Sequence, residues 1–502
     1  MIGKRMSIRG MLEKIGKSIR FILKKENKEI RKKTSAYILT VFVFFIMFAS
    51  LAGNLIYFLE TQSYDAIGSE FNKRQELLEE RNIRGDIITR NGDILAYSEQ
   101  GEGDEEERIY PYGPLFSHVV GFSTNGKMGI EKYANMNLIQ SNDSVDKRVS
   151  NNIKQEKNKG DTVVSTLNYR LQEVAFKSLG AYKGAVIVTD VKSGAILAMV
   201  SKPDFDPNLI EKEWEKLLLD EESSVLVNRV TQGMYPPGST FKIIDALAYY
   251  QQFPEEVEQY RYQCNGRFMY EDRKITCYHG TQHGMVDIRS SFAKSCNSSF
   301  ANIGLMLDRK QFAKTLEDLL FGKELPGDMV HNQSEIFLDE NSDDTTVVQA
   351  SIGQGKSSMS PYHLNLITSA IANDGVLMKP FLIHEIRNSS GKTVKKYEPE
   401  KELQLLTSKE ALFLQDLMTE VVENGTGHRL QEASYTSAGK TGSAEFGTNP
   451  ADSHAWFTGF APADDPKVAV TIIIEGAGTG GDYAVPVAKR LFDVYFEQFP
   501  QN

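Results

Sequence analysis

Cysteine is scarce in this chain, with three residues among 502. So few cysteines in so long a chain exclude a fold held together by a disulfide framework. Cys264 and Cys277 lie in a polar segment, which leaves one disulfide bridge between them open. Cys296 lies in an apolar-flanked helical stretch, where we expect its side chain to pack without a chemical role.

An excess of basic over acidic residues marks the N-terminus. Residues 1–35 carry twelve Lys and Arg against three Asp and Glu, a net charge of +9, although the whole chain has a formal net charge of −10. The other 467 residues therefore carry −19. An acidic body excludes general nucleic-acid binding, which needs a basic patch on the folded domain. The length and the 41% of hydrophobic residues predict two or three domains with packed cores.

Charge is absent from Tyr37 to Leu59, a run of 23 residues. As a helix this run would span roughly 34 Å, enough to cross a hydrocarbon core of about 30 Å. A cleaved signal peptide is the alternative, but its apolar region is usually only about 7–15 residues long. We predict a basic cytoplasmic segment at 1–35 and a single uncleaved membrane anchor at 36–59. Because Lys and Arg flank the N-terminal side, everything after residue 60 is expected to lie outside the membrane.

The outward-facing part divides into two predicted regions. Residues 60–160 contain two apolar runs joined by Asn91-Gly92, a strong hairpin signal, and predict a small strand-rich pedestal ending in a polar linker. Residues 161–502 have strand-like runs near both ends and helical patterns between them. This order predicts an α+β domain whose antiparallel sheet is assembled from distant segments.

Ser239 and Lys242 stand out among five Ser-x-x-Lys matches because of what surrounds them. Pro236, Pro237 and Gly238 prevent a helix upstream, and an apolar helical pattern begins directly afterwards. Ser239 is therefore expected at a helix N-terminus, where unpaired N–H groups favour developing negative charge. Lys242 lies one turn along on the same face, where a desolvated amine could accept the hydroxyl proton. An ordinary helix cap with a solvated lysine remains the alternative for this motif taken alone.

Two further motifs follow in a defined order. Ser295-Cys296-Asn297 lies 56 residues after Ser239, and Lys440-Thr441-Gly442 lies 201 residues after it, in a predicted strand. Ser-x-x-Lys, Ser-x-Asn and Lys-Thr-Gly in this order are the signature of the serine acyltransferases that recognise penicillin.

On these motifs the chain resembles a class B penicillin-binding protein, a monofunctional, membrane-anchored peptidoglycan D,D-transpeptidase. Supporting phrases are RGDIITRNGDILA, DVKSGAILAMVSKPDFDPN, ASIGQGKSSMSPYHLNL, VVENGTG and HAWFTGFAP. The resemblance implies a five-stranded antiparallel sheet flanked by helices, with an all-helical subdomain. It also implies peptidoglycan stem peptides and β-lactams as ligands, no cofactor, and a membrane-embedded glycan polymerase of the shape, elongation, division or sporulation type as partner.

The resemblance also assigns roles to the residues of the three motifs. Ser239 would attack the penultimate D-Ala of a stem peptide ending in D-Ala-D-Ala, and Lys242 would take its proton. Ser295 would relay a proton to the leaving amine. Backbone N–H groups of Ser239 and Ser443 would form the oxyanion hole.

The other motif residues are expected to bind substrate. Asn297 would hold the substrate backbone, and Lys440 and Thr441 would bind the terminal carboxylate. Gly442 would keep the strand flat enough for close approach.

Other functions on the same motifs remain as alternatives. A β-lactamase would need a deacylating base, and the segment Glu335 to Asp339 is only a near match to the required Glu-x-x-Leu-Asn. A D,D-carboxypeptidase would use water as acceptor. A β-lactam sensor would carry further membrane helices, and a bifunctional enzyme would need a large extra domain that residues 60–160 cannot hold.

A metal site is a further alternative. Cys277, His279 and His283, with Cys264 upstream, have spacing that could suit zinc. Because Gly280 and Gly284 break any helix there, we predict a loop without metal. His454 is expected at the edge of the cleft without a catalytic role.

Overall fold

The computed structural model describes residues 28–61, 73–100, 106–220, 222–270, 273–446 and 452–500, besides residues 13, 16 and 17. Most of the predicted cytoplasmic segment 1–35 and residues 62–72 after the anchor lie outside the described residues. The first long helix, Lys28–Thr61, contains a candidate membrane span at Tyr37–Tyr57 with a mean hydropathy of 2.2, and none of its window is buried. By length and composition this helix could cross a membrane.

The α-helices of the described residues, numbered in chain order, are α1 Lys28–Thr61, α2 Lys73–Arg81, α3 Ser117–Val120, α4 Gly129–Tyr133, α5 Asn135–Ile139, α6 Val145–Lys154, α7 Tyr169–Leu179, α8 Ile210–Leu218, α9 Lys242–Gln252, α10 Ile288–Ala293, α11 Asn297–Met306, α12 Arg309–Asp318, α13 Asp344–Ser351, α14 Pro361–Ala372, α15 Ser408–Asn424 and α16 Val485–Gln498.

The strands are β1 Asn82–Ile83, β2 Ile87–Ile88, β3 Ile94–Gln100, β4 Glu106–Ile109, β5 Asn158–Lys159, β6 Thr162–Ser165, β7 Gly184–Asp190, β8 Ile196–Lys202, β9 Tyr262–Cys264, β10 Arg267–Tyr270, β11 Arg273–Thr276, β12 Gly284–Val286, β13 Val376–Met378, β14 Ile383–Arg387, β15 Thr393–Lys396, β16 Lys401–Gln404, β17 Ala438–Glu445, β18 Ser453–Ala461 and β19 Val468–Ile474.

A five-stranded antiparallel sheet forms the centre of the larger domain, in the order β17-β18-β19-β7-β8. The hairpin β7–β8 comes from the start of the domain, and β19 pairs with β7 from Val468 opposite Asp190 to Ile474 opposite Gly184. The sheet therefore unites distant segments, as predicted. Because β19 is apolar or small at every position and fully buried, the sheet is covered on both faces.

Helices cover the two faces of this sheet. Helices α7 and α16 pack on one face, and α14 packs on the other, where α15 contacts it. Every residue of α14 is buried, which places this helix in the middle of the domain core. The α+β class and the five-stranded antiparallel sheet flanked by helices are confirmed; the helical region beside α14 also contains the short strands β9 to β12.

A second, six-stranded sheet has the order β15-β14-β6-β2-β3-β4. The predicted Asn91-Gly92 hairpin joins β2 to β3, where Gly92 has a φ of +92°. Next to this sheet a buried Glu131 carboxylate binds Arg84 at 2.6 Å and Arg108 at 2.8 Å. Strands β14 and β15 come from residues 383–396, so this sheet also includes later sequence. The division at residues 60, 160 and 161 stays a prediction.

Candidate active site

Ser239 lies in a tight turn that precedes α9. Gly238 has a φ of +53°, a conformation that suits glycine, and its amide donates to the Gly353 carbonyl at 2.9 Å. A Cβ on Gly238 would lie 2.9 Å from the carbonyl oxygen of Ser443 in β17. The side chain of Trp456 donates to the Pro236 carbonyl at 3.1 Å. The turn is therefore fixed against the edge strand, and Ser239 stays half-buried at the surface of the cleft.

Lys242 lies directly beneath Ser239. Its Nζ is 2.6 Å from Ser239 Oγ and 2.7 Å from Asn297 Oδ1, and its side chain is fully buried. Burial lowers the pKa of Lys242 to about 8, while the nearby Asp245 carboxylate acts in the opposite direction. The amine is therefore close to neutral in mildly alkaline solution, so it can accept a proton from the serine.

Ser295 and Asn297 flank the sharp turn between α10 and α11. Ser295 has a φ of +53°, rare for a residue with a side chain, and the turn is held by the Cys296 amide donating to Ser291 at 2.9 Å. Asn297 begins α11 and donates to the Thr276 carbonyl at 2.9 Å. The motif therefore lies at the start of α11, with Cys296 as its N-cap.

Strand β17 brings the third motif to the same place. Lys440 Nζ lies 3.0 Å from Ser295 Oγ and 2.9 Å from the Thr441 carbonyl. Lys440 is fully buried, and burial followed by the charge of Lys242 holds its pKa well below the usual range. Lys242 and Lys440 are therefore both buried beside the serines of the motifs, and burial disfavours the protonated form of each.

The remaining predicted residues line the same strand. Thr441 Oγ1 lies 2.5 Å from Thr426 Oγ1, and Ser443 Oγ accepts a bond from the Gly480 amide at 3.4 Å. A Cβ on Gly442 would lie 3.0 Å from both Thr240 Cγ2 and Trp456 Cβ. Gly442 therefore allows the strand to approach the nucleophile turn closely. The eight predicted site residues therefore lie on β17, in the turn and first residue of α9, and in the turn that begins α11. Their roles stay predictions.

Asp245 is a site neighbour that the motif reasoning did not find. It is fully buried one turn after Lys242, and neither carboxylate oxygen has a hydrogen-bond partner within the described residues. Burial raises its pKa well above the usual range, opposed by Lys242. The sequence does contain a signal for this residue, since Asp245 is the acidic residue of the largely apolar helix α9.

Among the hydrogen bonds and ion pairs of the described residues, none joins the Glu335–Asp339 segment to the three motifs. Glu335 is exposed, and its backbone pairs with Ser358. Asp339 is exposed and accepts from Ser342.

Three cysteines and one histidine converge beside the Ser295 turn. Cys264, Cys277 and Cys296 are buried free thiols, and together with His283 they place four ligand atoms within 4.8 Å of one another. Cys264 and Cys277, for which a disulfide bridge was left open, are both free thiols in this structure. His279, which was also considered, is outside this group.

Comparison with known proteins supports the geometry. Residues 184–493 match the penicillin binding protein transpeptidase domain, and residues 84–163 match the penicillin binding protein A dimerisation domain. The chain is 31% identical over 459 residues to peptidoglycan D,D-transpeptidase PbpA of Mycolicibacterium smegmatis, covering 86% of this chain and 93% of that protein.

Solved structures agree. The D,D-transpeptidase domain of a peptidoglycan glycosyltransferase from Eggerthella lenta superposes with a TM-score of 0.74 at 29% identity, over 84% of this chain and 99% of that one. The imipenem acyl-enzyme complex of penicillin-binding protein A from M. tuberculosis gives 0.75 at 26% identity, over 83% and 99%. The transpeptidase match alone covers more than half of the chain, which confirms the resemblance. The chain belongs to the class B penicillin-binding proteins.

Proposed function

We propose that this protein is a peptidoglycan D,D-transpeptidase that cross-links stem peptides through an acyl-enzyme on Ser239. The observation that carries the proposal is the contact of Ser239 Oγ with the buried Lys242 amine at 2.6 Å, with Asn297 on the other side of that amine. Such a pair has both a nucleophile and a base of suitable pKa.

In the first half-reaction Ser239 Oγ forms a bond to the carbonyl carbon of the penultimate D-Ala, and its proton passes to Lys242. The backbone N–H groups of Ser239 and Ser443 stabilise the oxyanion. The C–N bond to the terminal D-Ala then breaks, and the leaving nitrogen receives a proton through Ser295. The contact between Ser295 and Lys440 supports this relay.

In the second half-reaction an amine of another stem peptide attacks the ester carbonyl. The amine gives a proton back through Ser295, which replaces the proton donated to the leaving D-Ala, the C–O bond breaks, and Ser239 recovers its hydrogen from Lys242. Lys440 and Thr441 bind the carboxylate of the donor peptide, and Asn297 holds its backbone. A β-lactam enters the same way, but its ring amine stays attached and blocks the acceptor.

The location of the enzyme follows from the apolar helix. We propose that Tyr37–Tyr57 anchors the chain, that the N-terminus is cytoplasmic and that the catalytic domain faces outward. A membrane-embedded glycan polymerase is the proposed partner, contacted through the anchor and the pedestal, because residues 60–160 are too few for a polymerase domain.

Covalent labelling tests the nucleophile. We expect the full chain in detergent to form a stable covalent adduct with a fluorescent penicillin, and Ser239→Ala to lose it completely because no other hydroxyl contacts Lys242 among the described residues. Labelling is read on a denaturing gel, and mass spectrometry locates the adduct.

Ser389→Ala is the matched control, since Ser389 also belongs to a Ser-x-x-Lys pair but contacts Asp143 in the pedestal region. It should label normally. A fluorescent adduct on Ser239→Ala would contradict the assignment. An adduct lasting hours, and a cross-linked product from a donor peptide plus an amine, distinguish a transpeptidase from a β-lactamase or a carboxypeptidase.

A further inference from the structure

The loop between α15 and β17 contains a hydroxyl that the proposed reaction leaves unused. This loop, Gly425-Thr426-Gly427, belongs to the phrase VVENGTG, which is part of the resemblance to the family but has no assigned role. Thr426 Oγ1 lies 2.5 Å from Thr441 Oγ1 on β17. Thr441 is 5% exposed, and Thr426 is half-buried. The two hydroxyls therefore form a pair at the predicted site for the donor carboxylate.

The backbone at Thr426 is held on two sides. Its amide donates to the carbonyl of Ala293, the last residue of α10, at 3.2 Å. A Cβ on Gly425 would lie 2.3 Å from the same carbonyl oxygen, and a Cβ on Gly481 would lie 2.9 Å from the Thr426 carbonyl oxygen. Because Ala293 lies two residues before Ser295, these close contacts fix the loop relative to the second motif as well as to β17.

The hydroxyl pair has one hydrogen more than its mutual bond uses. Each threonine hydroxyl has a single donor hydrogen, and the contact between Thr426 and Thr441 takes one of the two. Among the described residues neither hydroxyl has another hydrogen-bond partner. When Thr426 donates to Thr441, the Thr441 hydrogen is left for a ligand in the cleft. A hydroxyl that already accepts a hydrogen bond is also polarised into a better donor.

The groups around this pair suit an anion. Lys440 Nζ lies 2.9 Å from the Thr441 carbonyl and 3.0 Å from Ser295 Oγ, so an amine and two further hydroxyls share one part of the cleft. A hydrogen bond to a charged acceptor is roughly twice as strong as one to a neutral acceptor. A hydroxyl aimed at this place therefore distinguishes a carboxylate from its neutral ester.

We propose that Thr426 is a positioning residue, which donates to Thr441 Oγ1 and thereby turns the Thr441 hydroxyl toward the terminal carboxylate of the donor peptide. The loop thus makes the cleft select donors that end in a carboxylate over donors whose terminus is neutral. This inference rests on the proposed function, because Thr441 binds a donor carboxylate only in that reaction.

The experiment compares two thioester donors of the full chain purified in detergent. Both have the same D-Ala acyl part; the thiol part of one ends in a carboxylate, and that of the other ends in the methyl ester. Release of the thiol gives kcat/KM for each donor. We expect the wild type to prefer the carboxylate. Thr426→Val keeps the shape but removes the hydroxyl, so it should lower that preference about tenfold and leave the ester donor nearly unchanged.

A double-mutant cycle tests whether Thr426 acts through Thr441. Thr441→Val should lose the preference to at least the same degree, and adding Thr426→Val to it should cause no further loss. Thr426→Ser restores the hydroxyl and should restore the preference. Thr419→Val is the matched control, since the Thr419 hydroxyl donates to the Gln415 carbonyl within α15 at 2.8 Å. This control should keep the wild-type preference, and the Tm of every variant should stay close to that of the wild type.

Three outcomes would overturn the role of Thr426. They are equal slowing of both donors by Thr426→Val, an unchanged preference in that variant, and additive losses in the double variant. A wild type that releases thiol from neither donor and forms no adduct with penicillin would overturn the proposed function, and the role of Thr426 with it.

Discussion

At the scale of single residues, the candidate site depends on two lysines that the fold deprives of water. Lys242 and Lys440 are both fully buried, and each contacts a serine hydroxyl at 2.6 Å or 3.0 Å. A buried ammonium without a carboxylate in contact is costly, so both groups are driven toward the neutral form. The motifs predicted which lysines matter, and only the fold shows that both are withdrawn from solvent.

The pH dependence of acylation tests this point. Because the pKa of Lys242 is lowered to about 8, the neutral fraction falls as the pH drops below that value. We expect the rate of penicillin labelling to rise about tenfold per pH unit below 8 and to level off above it. Stopped-flow or quenched labelling between pH 6 and 9 measures it.

Lys242→Arg is the control for the pH profile. A guanidinium stays protonated in this range, so the variant should label at a negligible rate at every pH. A wild-type rate that is flat from pH 6 to 9 would show that another group takes the proton.

At the scale of elements, sequence patterns predict the strands of the central sheet well, because their apolar runs are long. Asn91-Gly92 likewise predicts the hairpin β2–β3 of the second sheet. The polar residues 141–160, for which we predict a linker or exposed arm, contain α6, which Ser144 caps through the Lys147 amide. Polar composition hid the helix, since Val145, Val149 and Ile153 are its only apolar residues and all three are exposed.

The contact between the nucleophile turn and the loop after α13 gives a prediction at this scale. Gly353 has a φ of +69°, and a Cβ there would lie 1.9 Å from the Gly238 carbonyl oxygen. Gly353→Ala should therefore cost more than the about 1–3 kcal/mol of local backbone strain, and should slow acylation by displacing Ser239. Denaturant unfolding and labelling rates measure the two effects.

Gly391→Ala separates strain from displacement. Gly391 has a φ of +80°, and no other part of the described chain lies within 4 Å of the position that its Cβ would occupy. This variant should therefore show the strain alone and label normally. Equal loss of labelling in both variants would refute the link between Gly353 and the nucleophile turn.

At the scale of the whole molecule, the distribution of charge and hydropathy along the chain predicts how it is oriented across a membrane. The basic residues 1–35 precede the apolar helix, and the acidic remainder follows it. The positive-inside rule depends on this asymmetry of charge around the apolar helix and not on the fold of the other residues.

Orientation can be measured with added thiols. Ser7→Cys should react with a membrane-impermeant maleimide only after the cells are opened, whereas Lys395→Cys, at an exposed position of β15, should react in intact spheroplasts. The three native cysteines are buried, so their background should be small. The reverse pattern would contradict the proposed topology.

The amino-acid sequence by itself determined the long apolar helix, the α+β class, the family and the three motifs, because each is a local pattern of hydropathy or residue order. Tertiary structure alone decided which groups meet. Asp245 is fully buried one turn after Lys242, and the side chains of Cys264, Cys277, His283 and Cys296 converge although they span residues 264 to 296. The reason is that two short ribbons, β9–β12 and β10–β11, fold the loop back on itself, and strand pairing of this kind leaves little trace in residue spacing.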